Sequence, residues 1–156
     1  MDKMQIMCTL KNVKSFLGVF PSDPLPHSIT QSGTIIIDAH PHTEKGSHWL
    51  AIHFQRRLYS AYYFDSYGIG KFIPNILAFL RRICTVWKFN TIQLQGLISA
   101  GCAKYCSLFA LYMDRCYTQT IRRPLQSRHR RRTVLRIIIG TATQRTSRGS
   151  MQLKYL

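Results

Sequence analysis

The 156 residues suffice for one domain with a tail, and a hydrophobic content of 46% suffices for a core. The net charge is +16 and uneven: residues 1–114 carry eleven Lys or Arg against all six acids, whereas residues 115–156 carry eleven and no acid. No apolar run reaches membrane-spanning length, and the five cysteines lack paired C-x-x-C spacing, so a spanning helix is excluded and a structural zinc site is disfavoured.

In chain order, residues 3–16 mix apolar and basic side chains and read as a first helix. Met1 to Phe20 does not read as a signal peptide, because Asp2 stands near its start and Lys11 and Lys14 interrupt it. Free thiols in a reducing compartment are therefore expected. Gly18 to Pro26 is proline-rich and predicts a loop. Thr34-Ile35-Ile36-Ile37-Asp38 reads as a buried strand, His48 to Phe54 as a second and Leu58 to Asp65 as a third, with Arg56-Arg57 at the turn between them. The expected pattern is an antiparallel meander.

Lys71 to Trp87 has apolar residues near helical spacing, with Pro74 suited to a first turn. Asn90 to Gln95 reads as a short strand. A second strong helix is expected from Ser99, with Cys102, Tyr105, Cys106, Phe109, Ala110 and Met113 along one face. Arg122-Arg123-Pro124 breaks it, and little packed structure is expected beyond about residue 120. The division is a domain over 1–118 and a basic, Arg-rich, poorly ordered tail over 119–156.

Four residues form the parts list of a thiol protease in the order His48, Asp65, Gln95, Cys102. Ser99 as N-cap would put Cys102 in the first helical turn, where free amides and the helix dipole favour a thiolate. Cys106, one turn on, suits core packing, and Cys8 and Cys116 have no motif support. For Cys102 taken alone, burial in a core is the better bet; the Gln95-to-Cys102 context reverses it.

His48 begins an apolar strand beside Trp49. His53, five residues on, points to the opposite face. His40 and His42 lie in the preceding loop, where exposure or metal chelation are alternatives, and His27 and His129 lack context. Asp65 ends an aromatic strand and either caps the following turn or accepts a hydrogen bond from the His48 ring nitrogen, two compatible roles. Asp2, Glu44 and Asp114 read as surface charges. Gln95 would donate to an oxyanion beside the Cys102 amide, with Gln93 as the rival position and an ordinary polar strand end as the plainer alternative.

Gly18-Val19-Phe20-Pro21-Ser22-Asp23, Asp38 to Trp49, Phe64-Asp65-Ser66-Tyr67-Gly68 and Ser99 to Cys106 resemble, over about residues 15–115, the adenain-type cysteine proteases of adenoviruses and of the Maverick (Polinton) virus-like transposons. The resemblance implies an α+β, papain-related fold: an antiparallel sheet packed on helices, with the nucleophile at the start of a central helix. It implies a His48-Asp65-Cys102 triad with Gln95 at the oxyanion hole. Implied substrates are capsid or core precursor polypeptides. DNA is implied as an activator, with no metal or small-molecule cofactor. An activating peptide is implied too, and the resemblance implies a disulfide between it and Cys84, which stands at the corresponding distance before Cys102; the alternative is that Cys84 packs in its helix. Implied localisation is virion and host nucleus, or nucleus and cytoplasm for a transposon copy.

Ala103 departs from the family's usual glycine, where an added methyl would narrow the oxyanion site. His40 stands where an acid is usual. The tail matches nothing in the family. Its Arg122, Arg123, Arg128, Arg130, Arg131 and Arg132, with Arg56, Arg57, Arg81 and Arg82 of the core, are the candidate nucleic-acid contacts; a solvated tail without a dedicated partner is the plainer alternative. The leading expectation is a monomeric cysteine endopeptidase. The alternatives are a ubiquitin-like-protein isopeptidase and a degenerate protease that binds nucleic acid through its basic surface.

Overall fold

The computed structural model describes residues 1–44, 48–69, 73–96, 101–122, 141–145 and 154–155, with side chains described up to residue 116. Helix α1 spans Lys3–Leu10. Asp2 caps it through a reciprocal capping box: the acid that read as a surface charge accepts from the Gln5 amide, and the Gln5 side chain accepts from the Asp2 amide. Strands β1 (Phe16–Pro21), β2 (Gly33–Asp38), β3 (Trp49–Gln55), β4 (Ser60–Asp65) and β5 (Val86–Asn90) form a sheet in chain order, with α2 (Pro74–Ile83) between β4 and β5. Helix α3 covers Cys102–Arg122. Two short tail segments, β6 (Thr141–Arg145) and β7 (Lys154–Tyr155), continue the sheet beyond β5. Most of the tail expected to be poorly ordered lies outside the described residues.

The fold is α+β, but its sheet is mixed rather than antiparallel. The β2–β3–β4 meander is antiparallel, with a tight connection only between β3 and β4, while β1 pairs parallel to β2 and β4 parallel to β5. The second parallel pair follows from the crossover through α2. Residues 16–21, within and beside the expected loop, form edge strand β1; Pro21 is tolerated because it ends an edge strand. The helix expected to reach Trp87 stops at Ile83, and the strand expected over 90–95 lies at 86–90 instead. There Trp87 and Phe89 are buried on either side of an exposed Lys88, an alternation of period two that a helical reading absorbed.

Two cores flank the sheet. On one face α1 and α3 bury Ile6, Leu10, Cys106, Phe109, Ala110 and Met113 against Ile36, Trp49, Ala51 and Phe64. On the other, α2 buries Ile76, Phe79 and Leu80 against Ile35, Ile37, Leu50, Ile52, Phe54 and Trp87. The β-branched run at 35–37 thus serves both faces, as a central strand must. Phe64 and Phe109 stack with ring centroids 4.8 Å apart, adding about 1 kcal/mol beyond their area and pinning α3 over the end of β4. Asp114 accepts from the Ser15 amide at 2.9 Å, so it ties α3 to the approach to β1 rather than standing as a free surface charge.

Candidate active site

The start of α3 lies against the first residues of β3 and the last of β4. Cys102 is the first residue of α3, and the Gly101 carbonyl accepts from the amides of Lys104 and Tyr105. Gly101 therefore holds the cap position expected at Ser99, which lies outside the described residues. Being at the helix start leaves the Cys102 and Ala103 amides without a carbonyl of the preceding turn to pair with. The Ala103 methyl is buried in the α1–α3 core.

His48 immediately precedes β3, and its carbonyl accepts from the Ala39 amide at 2.9 Å, fixing the chain before the strand. Its Nε2 lies 3.0 Å from Asp65 Oδ1, with the imidazole 20% exposed and the carboxylate 8%. Its Nδ1 is buried and makes no hydrogen bond of ordinary geometry among the described residues. The Cys102 thiol interacts directly with the imidazole.

Burial opposes a charge on His48, but the hydrogen bond to Asp65, the Cys102 thiol and the charges of both outweigh it and push the imidazole up to about 9. Burial likewise opposes a Cys102 thiolate. The His48 contact and the backbone amides of Trp49 and Ala103 overcome it, lowering the thiol below its ordinary value. Both directions favour a thiolate–imidazolium pair.

The other cysteines lack this environment. Cys106 donates to the Trp49 carbonyl at 3.2 Å, and burial pushes its thiol well up. Cys84 ends α2, is buried, and is pushed up to about 12 by that burial. This weighs against ready thiol exchange with a peptide and suits the packing alternative. Cys8 is exposed and Cys116 half-buried.

Gln95 is 1% exposed, whereas its rival Gln93 is exposed and donates to the Gln95 carbonyl at 2.7 Å. Ser66 Oγ donates to Gln95 Oε1 at 2.7 Å, and Gln95 Nε2 donates to the Tyr67 hydroxyl at 3.4 Å. The Tyr67 ring lies 4.9 Å from the His48 ring, and its amide donates to Asp65 Oδ1 at 3.0 Å. Gln95 thus reaches the His48–Asp65 pair through one tyrosine.

Three residues in this network carried no assigned role in the sequence. Ser66 and Tyr67 sit inside the Asp65 motif, where adjacency was a usable signal. Asn90 binds the Asp65 main chain from β5; a lone asparagine ending an aromatic strand was the only hint. Gly68 has φ +64, and a Cβ there would come within 2.6 Å of the Ile92 backbone, so the turn after Asp65 and the loop before Gln95 touch where a side chain cannot fit.

His53 is buried and pairs through Nδ1 with Thr34 Oγ1 at 2.9 Å. His42 pairs with Asp23, and His40 lies 3.6 Å from Asp38. Among the described residues no group of His, Cys, Asp and Glu could hold a metal ion, and no helix is long and apolar enough to cross a membrane. Gly46 and Ser47 of the histidine motif, and Arg123, Arg128, Arg130, Arg131 and Arg132, lie outside the described residues, and only the backbone of Arg122 is described.

No protein-family model matches the chain, and no curated protein matches it.

Proposed function

We propose that the chain is a cysteine endopeptidase of the adenain type, with capsid or core precursor polypeptides as substrates. The observation that carries this reading is the 3.0 Å hydrogen bond between Asp65 and a His48 imidazole that also lowers the Cys102 thiol. Cys102 Sγ attacks the scissile carbonyl carbon. His48, charged in the resting pair, gives its proton to the departing amine as the C–N bond breaks, leaving a thioester. His48, now neutral, takes a proton from water, the hydroxide displaces sulfur, and the acid product leaves with the thiolate–imidazolium pair restored.

Asp65 holds the Nε2–H and stabilises the imidazolium. The Gln95 side chain and the free Cys102 amide stabilise the oxyanion. Ala103 does not disfavour this assignment, because its methyl is taken up by the core. The strong positive charge, +16 overall, supports nucleic acid as a partner and activator.

The test is labelling of the full chain by a peptide ending in a glycine-derived thiol-reactive group, with and without DNA, followed by mass mapping. Labelling at Cys102 that Cys102→Ala removes supports the reading. Labelling confined to Cys8 or Cys116 would overturn it.

A further inference from the structure

We infer that Asn90 is a positioning residue of the site: its carboxamide replaces a missing strand and fixes Asp65 against His48. This rests on the proposed roles of His48, Asp65 and Cys102.

The parallel β4–β5 ladder runs from Ser60 opposite Val86 to Tyr63 opposite Phe89 and then stops. Strand β4 continues to Asp65, where its main chain still faces Leu50 of β3 on one side. On the other side the β5 backbone offers it no further ladder partner. The Asn90 side chain fills that place. The Asp65 amide donates to Asn90 Oδ1 at 2.8 Å, and Asn90 Nδ2 donates to the Asp65 carbonyl. A carboxamide presents the same donor and acceptor as a peptide group, so one side chain mimics the next rung of the ladder.

Nδ2 also donates to the Ile92 carbonyl at 3.1 Å, at the start of the loop that leads to Gln95. One backbone donor and two backbone acceptors admit a single orientation of the amide. Asn90 is 1% exposed, and its backbone is paired on the far side with Thr141 of β6. A buried amide satisfied at both ends is rigid, and its loss leaves the Asp65 amide and carbonyl unpaired in the interior.

The consequence reaches the carboxylate. Oδ1 of Asp65 accepts from both His48 Nε2 and the Tyr67 amide, each at 3.0 Å. With its main chain released from β5, Asp65 retains the local cap to Tyr67 and loses its aim at His48. The other titratable groups facing the pair are Cys102 and Cys106 of α3 and Tyr63 of β4, with Tyr67 in the following turn. None of them can orient the imidazole from the Nε2 side in place of Asp65.

The test is a double-mutant cycle read by the pH dependence of Cys102 alkylation with iodoacetamide, mapped by mass, in the full chain. This readout needs no peptide cleavage, so a chain that cleaves nothing would defeat the protease reading without deciding the role of Asn90. Asn90→Ala should slow alkylation at pH 6 by about tenfold, equivalent to one unit of thiol pKa, with the limiting rate at high pH unchanged. Asp65→Ala should do the same, and Asn90→Ala should add nothing in the Asp65→Ala background. If Asn90→Ala does not fold, Asn90→Ser, which keeps a small polar group, is read in the same cycle. Equal slowing in both backgrounds, or no slowing in either, overturns the inference.

Discussion

The hydroxyl of Ser66 donates to Gln95 Oε1 at 2.7 Å, joining the residue after the acid to the expected oxyanion donor across 29 positions of chain. The amides of Leu94 and Gln95 close the same junction by donating to the Ser66 carbonyl at 2.9 and 3.0 Å. The end of β4 therefore sets both the carboxylate and the glutamine, and a displacement there moves both.

Gln95→Ala should lower peptide turnover by about a hundredfold or more, as for other lost oxyanion donors. Thiol labelling at Cys102 should be largely preserved, because the thiolate is set by His48 and the amides of Trp49 and Ala103. Ser66→Ala should give a smaller loss, on the order of tenfold, since Gln95 loses one orienting bond. Equal turnover in Gln95→Ala and the parent chain would remove Gln95 from the mechanism. The exposed Gln93 would then be the next candidate.

The two shifted groups bound the pH range of activity. Below the lowered value of Cys102 the thiol is protonated; above about 9 the His48 imidazole is neutral. Peptide cleavage should rise with pH on an acid limb lying below the ordinary thiol range and decline as pH passes through about 9. In His48→Gln, alkylation of Cys102 should shift upward in pH toward an ordinary thiol, near about 8.5. An unshifted alkylation profile in that variant would show that the imidazole does not hold the thiolate.

Cys102→Ala should abolish cleavage. Cys106→Ala should leave cleavage within about threefold of the parent chain while lowering thermal stability, because Cys106 is a packed thiol bonded to the Trp49 carbonyl. Peptide turnover and thermal melts distinguish the two; abolished cleavage in a folded Cys106→Ala would move the nucleophile.

The tail over 119–156 supplies ten of the 22 basic residues. Fluorescence anisotropy with mixed-sequence DNA should show binding that weakens steeply with added salt through counterion release. Substituting Arg128, Arg130, Arg131 and Arg132 with Gln should reduce the salt slope with little change in sequence preference. These substitutions spare β6 and β7, whereas truncation at residue 120 would also strip strands from β5. A slope unchanged by the four substitutions would place the binding surface elsewhere.

The sequence determined the parts whose signals are local. The β-branched run at 35–37, the aromatic end of β4, Pro74 at the start of α2 and the apolar face of α3 each follow from short-range periodicity or backbone preference. The placement of Cys102 in the first turn of α3 and of Cys106 in its buried interior was legible in the same way. Tertiary structure alone decided the rest. The edge strand at Phe16–Pro21 exists because β2 offers it a parallel partner, which no property of a proline-rich segment announces. The strand at 86–90 took residues from both an expected helix and an expected strand, because apolar periodicity over so short a run fits either, and pairing with β4 settles it. Asn90 and Ser66 became parts of the site for the same reason. A polar side chain acquires a role from the backbone group that faces it, and here those groups are supplied by elements 25 and 29 residues away.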